Sequence, residues 1–140
     1  EACKVLFIDH LHYLIPLNAE SNYVSFTVGD IVRRLKKLAV DYGKIIILVA
    51  HTRKDDDDEI KMSDIRDSSL IPQESDYVYL VHRLKNDNKQ LEEMMSNKTK
   101  IILAKNRRTG KQIHRTFTFD GKDFTPYVDD SYTIPARRYP

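Results

Sequence analysis

The chain has 140 residues, 41% of them hydrophobic, the size and apolar content of one ordinary domain with its own core. Lysine and arginine outnumber aspartate and glutamate only by 23 to 21, so bulk charge argues for no nucleic-acid partner and a basic site must come from placement. Cys3 is the only cysteine, which excludes an intrachain disulfide and a cysteine-rich zinc site. The longest apolar runs fall far short of the roughly 20 residues of a membrane span, so an intracellular, reducing compartment without membrane association is the expectation.

The chain enters a strand-like run within three residues and does not begin with methionine, the mark expected of a segment of a longer protein. Lys4 to Ile8 is a continuous apolar run ending at Asp9, and Lys44 to Ala50 is a second ending at His51. Both read as strands buried on two faces, the pattern of a parallel sheet. Between them Val28, Ile31, Val32, Leu35, Leu38, Ala39 and Tyr42 recur at helical spacing, with Thr27 and Asp30 placed like a capping box and Gly43 at the stop. A strand-helix-strand crossover makes the two strands parallel, so Asp9 and His51 are expected at one edge of the sheet, where open α/β folds bind ligands.

A third strand is predicted over Tyr77 to His82. A hairpin follows, with Lys100 to Ala104 leading through Asn106-Arg107-Arg108-Thr109-Gly110 into Ile113 to Phe119. In that second arm Ile113, Phe117 and Phe119 share one face, and His114, Thr116 and Thr118 the other. The connections His10 to Phe26 and Thr52 to Ser75 are longer than a structural link requires, and long loops at a binding edge are candidates for function. Leu84 to Asn97 is polar, with a short helix expected around Gln90 to Met95, and the tail after Asp129 carries two prolines and is expected to lack structure of its own.

An aspartate directly after a buried strand suits a Walker B carboxylate that holds Mg²⁺ beside nucleotide phosphates, although acidic residues also end many strands for solubility. His51 could donate a hydrogen bond to a terminal phosphate or simply cap its strand. Asp55-Asp56-Asp57-Asp58-Glu59 would repel phosphate and reads as a solvated loop face. Lys105, Arg107, Arg108 and Lys111 crowd a hairpin tip, which points either to an anionic partner or to an ordinary exposed turn.

In order, Val5-Leu6-Phe7-Ile8-Asp9, His51-Thr52-Arg53-Lys54, Ser63-Asp64-Ile65-Arg66-Asp67-Ser68, Gln73-Glu74-Ser75-Asp76 and Lys105-Asn106-Arg107-Arg108-Thr109-Gly110 resemble the hexameric replicative helicases of the DnaB type. The resemblance is closer still to the Twinkle-type primase-helicases of mitochondria and phages. It covers most of the chain and implies an α/β fold: part of a RecA-like P-loop NTPase core over residues 1–128, mainly parallel sheet flanked by helices, with a C-terminal antiparallel hairpin and a tail over 129–140.

By that resemblance Asp9 is the Walker B residue that holds Mg²⁺, His51 the phosphate sensor, and Arg107 with Lys105 the arginine finger and its companion, reaching ATP held by a neighbouring subunit. Asp64 to Ser68 matches the loop that grips single-stranded DNA in the central channel, giving Arg66, Asp67 and Ser69 as DNA-binding candidates. Ser69 departs from the glycine usual in DnaB-type proteins. Self-association as a hexameric ring, single-stranded DNA as partner, and room for a primase domain or partner follow from the same source.

No G-x-x-x-x-G-K-[ST] occurs in the sequence, and in the family the phosphate loop and the water-activating glutamate precede the segment that starts here, so both are expected upstream of Glu1. The family's phosphate-loop strand lies between the strands resembling Lys44 to Ala50 and Tyr77 to His82. Without it these two are expected to pair directly or to borrow a strand from another chain. Two other readings stay open on the residues alone: a RecA-fold ATP-binding scaffold without unwinding activity, and a nucleotide-free α/β interaction domain.

Overall fold

The computed structural model describes residues 3–16, 23–53, 60–66, 69–85 and 95–127. The acidic run 55–59, Asp67 and Ser68, and the tail 129–140 lie outside the described residues, as does most of the short helix expected near 90–95. The chain divides into two compact units, one of residues 1–80 with 103–112, the other of 81–102 with 113–140.

In the first unit, strands β1 (Val5–Ile8) and β2 (Ile45–Leu48) pair in parallel, Val5 opposite Ile45 through Ile8 opposite Leu48. Helix α1 (Val24–Asp41) is the crossover between them. It starts a turn earlier than the expected Val28, because Val24 continues the apolar stripe onto the core, and the Thr27 hydroxyl donates to the Tyr23 carbonyl at 3.1 Å instead of capping the helix. The stop is as read: Gly43 sits at φ 58°, Lys44 N–H donates to the Ala39 carbonyl at 2.8 Å and Gly43 N–H to that of Val40 at 3.3 Å. That pair of bonds is the Schellman closure, which needs the left-handed conformation glycine adopts at little cost.

The core of this unit is Leu11, Val28, Val32 and Ile71, with Ile15, Val24, Ile31, Leu48, Ala50 and Ile65 packed against it. Leu11 comes from a 3-10 turn (Leu11–Leu14) and Ile71 from the short helix α2 (Leu70–Glu74), so both long connections after the strands return apolar residues to α1. Gly29 of α1 lets α2 approach: a Cβ there would lie 2.5 Å from Cδ1 of Leu70.

The expectation that β1 and β2 are buried on both faces is corrected. Phe7 is 62% exposed and Ile45 61%, while only Ile8 of β1 and the alternate residues Ile46 and Leu48 of β2 turn partly inward. Continuous hydrophobicity shows that a strand can be covered on two faces, not that a second layer is present.

Strand β3 (Tyr77–Lys85) outruns its expected end at His82 and alternates buried Val78 and Leu80 with exposed Tyr77, Tyr79 and Val81. Strand β4 (Met95–Asn106) is longer than the expected Lys100 to Ala104 and takes in Met95 to Asn97 from the segment read as polar loop. A turn closed by Gly110 N–H on the Asn106 carbonyl at 2.8 Å leads to β5 (Ile113–Phe119), which pairs antiparallel with β6 (Phe124–Pro126). These four strands form one sheet in chain order, and β1 with β2 form another.

Two expectations therefore change. The sheets are not mainly parallel: β1 and β2 pair in parallel, but β5 and β6 pair antiparallel, and the links from β3 to β4 and from β4 to β5 are shorter than the dozen or more residues a parallel crossover needs. Nor do β2 and β3 close the gap by pairing with each other; β3 takes β4, its neighbour in sequence, as hydrogen-bonded partner. A partner close in sequence closes a shorter loop at lower entropic cost than a crossover through residues 49–76.

In the second unit Ser96 and Thr99 are buried, Arg83 Nε donates to the Ser96 carbonyl at 2.8 Å, and Phe119 packs on Phe124 at 4.7 Å between ring centroids. Ile113 and Phe119 of β5 are exposed, so the apolar face read from their spacing is only partly covered. No helix among the described residues is long and apolar enough to cross a membrane.

Candidate functional site

Parallel pairing fixes the first part of the site. Asp9 follows the last residue of β1 and His51 lies just beyond β2, so both stand at the same carboxy edge. The backbone beyond the strands is stitched together by Val49 N–H to the Ile8 carbonyl and Leu11 N–H to the Val49 carbonyl, both at 2.9 Å. Asp9 and His51 are exposed. Asp9 offers the hard oxygen donor that a magnesium ion takes, and His51, at the same edge, offers an imidazole N–H that can donate to a phosphate oxygen. The donor set therefore fits a phosphate-bound Mg²⁺ in kind, while the backbone cradle for the phosphates has no counterpart in the 140 residues.

The second part is the loop after β2. Thr52 bridges Ile65, Arg53 N–H donates to the Asp64 carbonyl at 2.6 Å, and Arg66 N–H donates to the His51 carbonyl at 3.0 Å. Asp64 caps the 3-10 turn it ends, its carboxylate accepting from Lys61 N–H at 2.6 Å. His51, Thr52, Arg53 and Arg66 line one open groove. Arg66 is exposed, and Ser69 is exposed at the start of α2; Asp67 lies outside the described residues.

The third part is a junction that the sequence did not announce. Lys105 Nζ donates to the carbonyls of Pro72 at 2.6 Å and Gln73 at 2.9 Å, and Arg107 Nη2 donates to the Gln73 carbonyl at 2.7 Å. These are last-turn carbonyls of α2, which have no partner inside the helix and attract cations. Asp76 completes the junction by pairing with Arg107 at 3.2 Å and with Lys36 of α1 at 2.5 Å. The Lys36 hydrogen bond, followed by the charges of Lys36, Arg107 and Lys105, holds the Asp76 carboxyl below its ordinary value of 3.8. Part of the crowded basic tip is thus neutralised within the chain, yet the Arg107 side chain stays 48% exposed and is not buried in its own core.

Asp9 and His51 therefore share one edge, Arg66 is hydrogen-bonded to His51 through the backbone, and Lys105 and Arg107 share the α2 junction. Sequence reasoning quoted Asp76 only within the Gln73-Glu74-Ser75-Asp76 motif and missed its pairing with Lys36, 40 residues away, which no local pattern reveals. It also missed His10 and His12. His10 packs against His51 with ring centroids 4.3 Å apart, and His12 lies 5.6 Å from His51. The available signal was two histidines flanking a buried leucine immediately after the β1 aspartate.

The chain also resembles known proteins in sequence and in fold. The chain is 32% identical over 146 aligned positions to the replicative DNA helicase DnaB of Mycoplasma genitalium, covering 93% of the chain and 30% of that protein. It is 32% identical over 111 positions to a probable plasmid replicative DNA helicase of Chlamydia psittaci, covering 76% and 23%. The chain thus spans under a third of the length of either relative. Among solved structures, a DnaB-like replicative helicase, described together with its interactions with primase, superposes with a TM-score of 0.66 at 23% identity over 84% of the chain and 29% of that structure. The profile of the DnaB-like helicase C-terminal domain matches residues 1–128, and the chain belongs to that family.

Proposed function

We propose that the chain contributes the Walker B side of a RecA-like motor core in an ATP-dependent replicative helicase that moves along single-stranded DNA within a hexameric ring. The observation that carries this reading is the parallel β1–β2 pair, which sets a carboxylate and an imidazole at one edge and hangs the Asp64 to Arg66 loop from the second of them. In this reading Asp9 would hold Mg²⁺ and His51 would sense the terminal phosphate. When bound, magnesium neutralises charge on the phosphate oxygens. Lys105 and Arg107, presented on the α2 junction, would face the nucleotide of the next subunit and stabilise charge developing there.

Arg66, Asp67 and Ser69 would line the DNA path. Arg66 is the phosphate contact, and its N–H to the His51 carbonyl gives the DNA loop a direct mechanical link to the sensor. A shift of one by about 1 Å along the bond must be accommodated by the other or break it. Primase, which the solved relative engages, is the natural further partner of such a ring.

The test is binding of single-stranded DNA by the full protein as salt is varied. Arg66→Ala should weaken binding for all sequences alike and lower the salt slope by about one phosphate contact. Binding with an unchanged slope, or no binding by the wild-type protein, would contradict the assignment of this loop.

A further inference from the structure

We propose that His10, His12 and His51 form a binding site for a borderline transition-metal ion, Zn²⁺ or Co²⁺, distinct from any magnesium held by Asp9. One nitrogen of each ring can be chosen so that all three lie within 4.8 Å of one another. Two nitrogens bound to one tetrahedral zinc at about 2.0–2.1 Å stand about 3.3 Å apart, so the rings need close by at most about 1.5 Å, a distance on the scale of side-chain rotation. Imidazole suits these metals and not magnesium, which demands oxygen ligands.

The scaffold is prepared for it. Leu11, between the two histidines, is fully buried, and its N–H is tied to Val49, two residues before His51. The His51 carbonyl is itself held by Arg66 N–H. Both segments that carry the rings are therefore fixed to each other before any ion arrives, which lowers the ordering cost of binding. The His10 Nδ1 accepts a hydrogen bond from His12 N–H at 3.3 Å, a long and weak bond that coordination through this nitrogen would replace. The three rings already crowd together, with centroids 4.3 to 5.6 Å apart.

Binding does not depend on the nucleotide reading. Its consequence does: if His51 senses phosphate, a metal on the same imidazole competes with that role.

The experiment titrates the full protein with Co²⁺ alone, in excess Mg²⁺ so that oxygen sites are filled. The expected result is one Co²⁺ per chain with the intense visible band of tetrahedral nitrogen coordination, displaced by Zn²⁺. His10→Asn and His12→Asn, each checked by circular dichroism for retention of fold, should each weaken binding at least tenfold. The pair His82→Asn with His114→Asn, the other two histidines of these 140 residues, should leave it unchanged. Absence of the tetrahedral band in the wild type, its persistence in both cluster variants, or its loss in the His82 and His114 variant would overturn the site. If Co²⁺ binds as described but Zn²⁺ leaves ATP hydrolysis untouched, the site stands and the sensor role of His51 falls.

Discussion

Replacing Asp76 by asparagine keeps the side chain's shape and removes the charge that holds Lys36 and Arg107. The two ion pairs differ in environment. The Lys36 side chain is 28% exposed and bonds Asp76 at 2.5 Å, while the Arg107 side chain is 48% exposed and pairs at 3.2 Å. In bulk water two unit charges at such separations attract by about 1.3–1.7 kcal/mol, and exposed pairs deliver about 0.2–1 kcal/mol after screening and side-chain entropy. The Lys36 pair should contribute about 1 kcal/mol and the Arg107 pair about 0.5 kcal/mol, so Asp76→Asn should destabilise by about 1.5 kcal/mol at neutral pH.

Urea unfolding followed by circular dichroism measures the total, and double-mutant cycles with Lys36→Met and Arg107→Gln measure the parts. Because the Asp76 carboxyl is held below its ordinary value of 3.8, first by the Lys36 hydrogen bond, the unfolded chain takes up the proton more readily than the folded one. The wild-type advantage over Asp76→Asn should therefore be complete well above pH 3.8 and fade as acid titrates the folded carboxyl below it. Coupling energies near zero in both cycles, or an advantage that grows as the pH falls below that value, would refute the junction as described.

Two further outcomes concern stability. Leu11→Ala removes a residue only 1% exposed from the core beside α1 and should cost about 2–5 kcal/mol, read as a lower urea midpoint; a cost under about 1 kcal/mol would mean that the 3-10 turn is not anchored. Gly43→Ala imposes a Cβ at φ 58° and should cost about 1 kcal/mol in the same assay, with Gly43→Asn milder because asparagine tolerates the left-handed region.

The parallel pair and its shared edge were legible because apolar runs separated by a 3.6-residue repeat admit little besides a strand-helix-strand crossover, and crossover geometry then places Asp9 with His51. The stop of α1 was legible because Gly43 answers a local backbone demand. Its start was not, since Thr27 and Asp30 form a local capping signal that the packing of Val24 overrides. Burial of β1 and β2 was misread because apolar character says what a strand tolerates, and Phe7 and Ile45 remain exposed.

Strand β6, at three residues and ending in Pro126, was too short to show a period. In the site, the family resemblance named Lys105 and Arg107 but not what holds them: carbonyls of Pro72 and Gln73 have no side-chain signature, and Asp76 meets Lys36 across 40 residues. His10 and His12 read as loop residues because the approach of the loops after β1 and β2 is a tertiary fact.

In the proposed reading one chain serves two nucleotides, with Asp9 and His51 at one and Lys105 and Arg107 at the next subunit's. Mixing full-length Asp9→Ala subunits with Arg107→Ala subunits and measuring ATP hydrolysis tests it directly. Each variant alone should be inactive, Arg107→Ala with ATP binding kept, and the mixture should regain activity because some interfaces then pair an intact Asp9 with an intact Arg107. A mixture as inactive as either variant alone, under conditions where mixed rings form, would contradict the account.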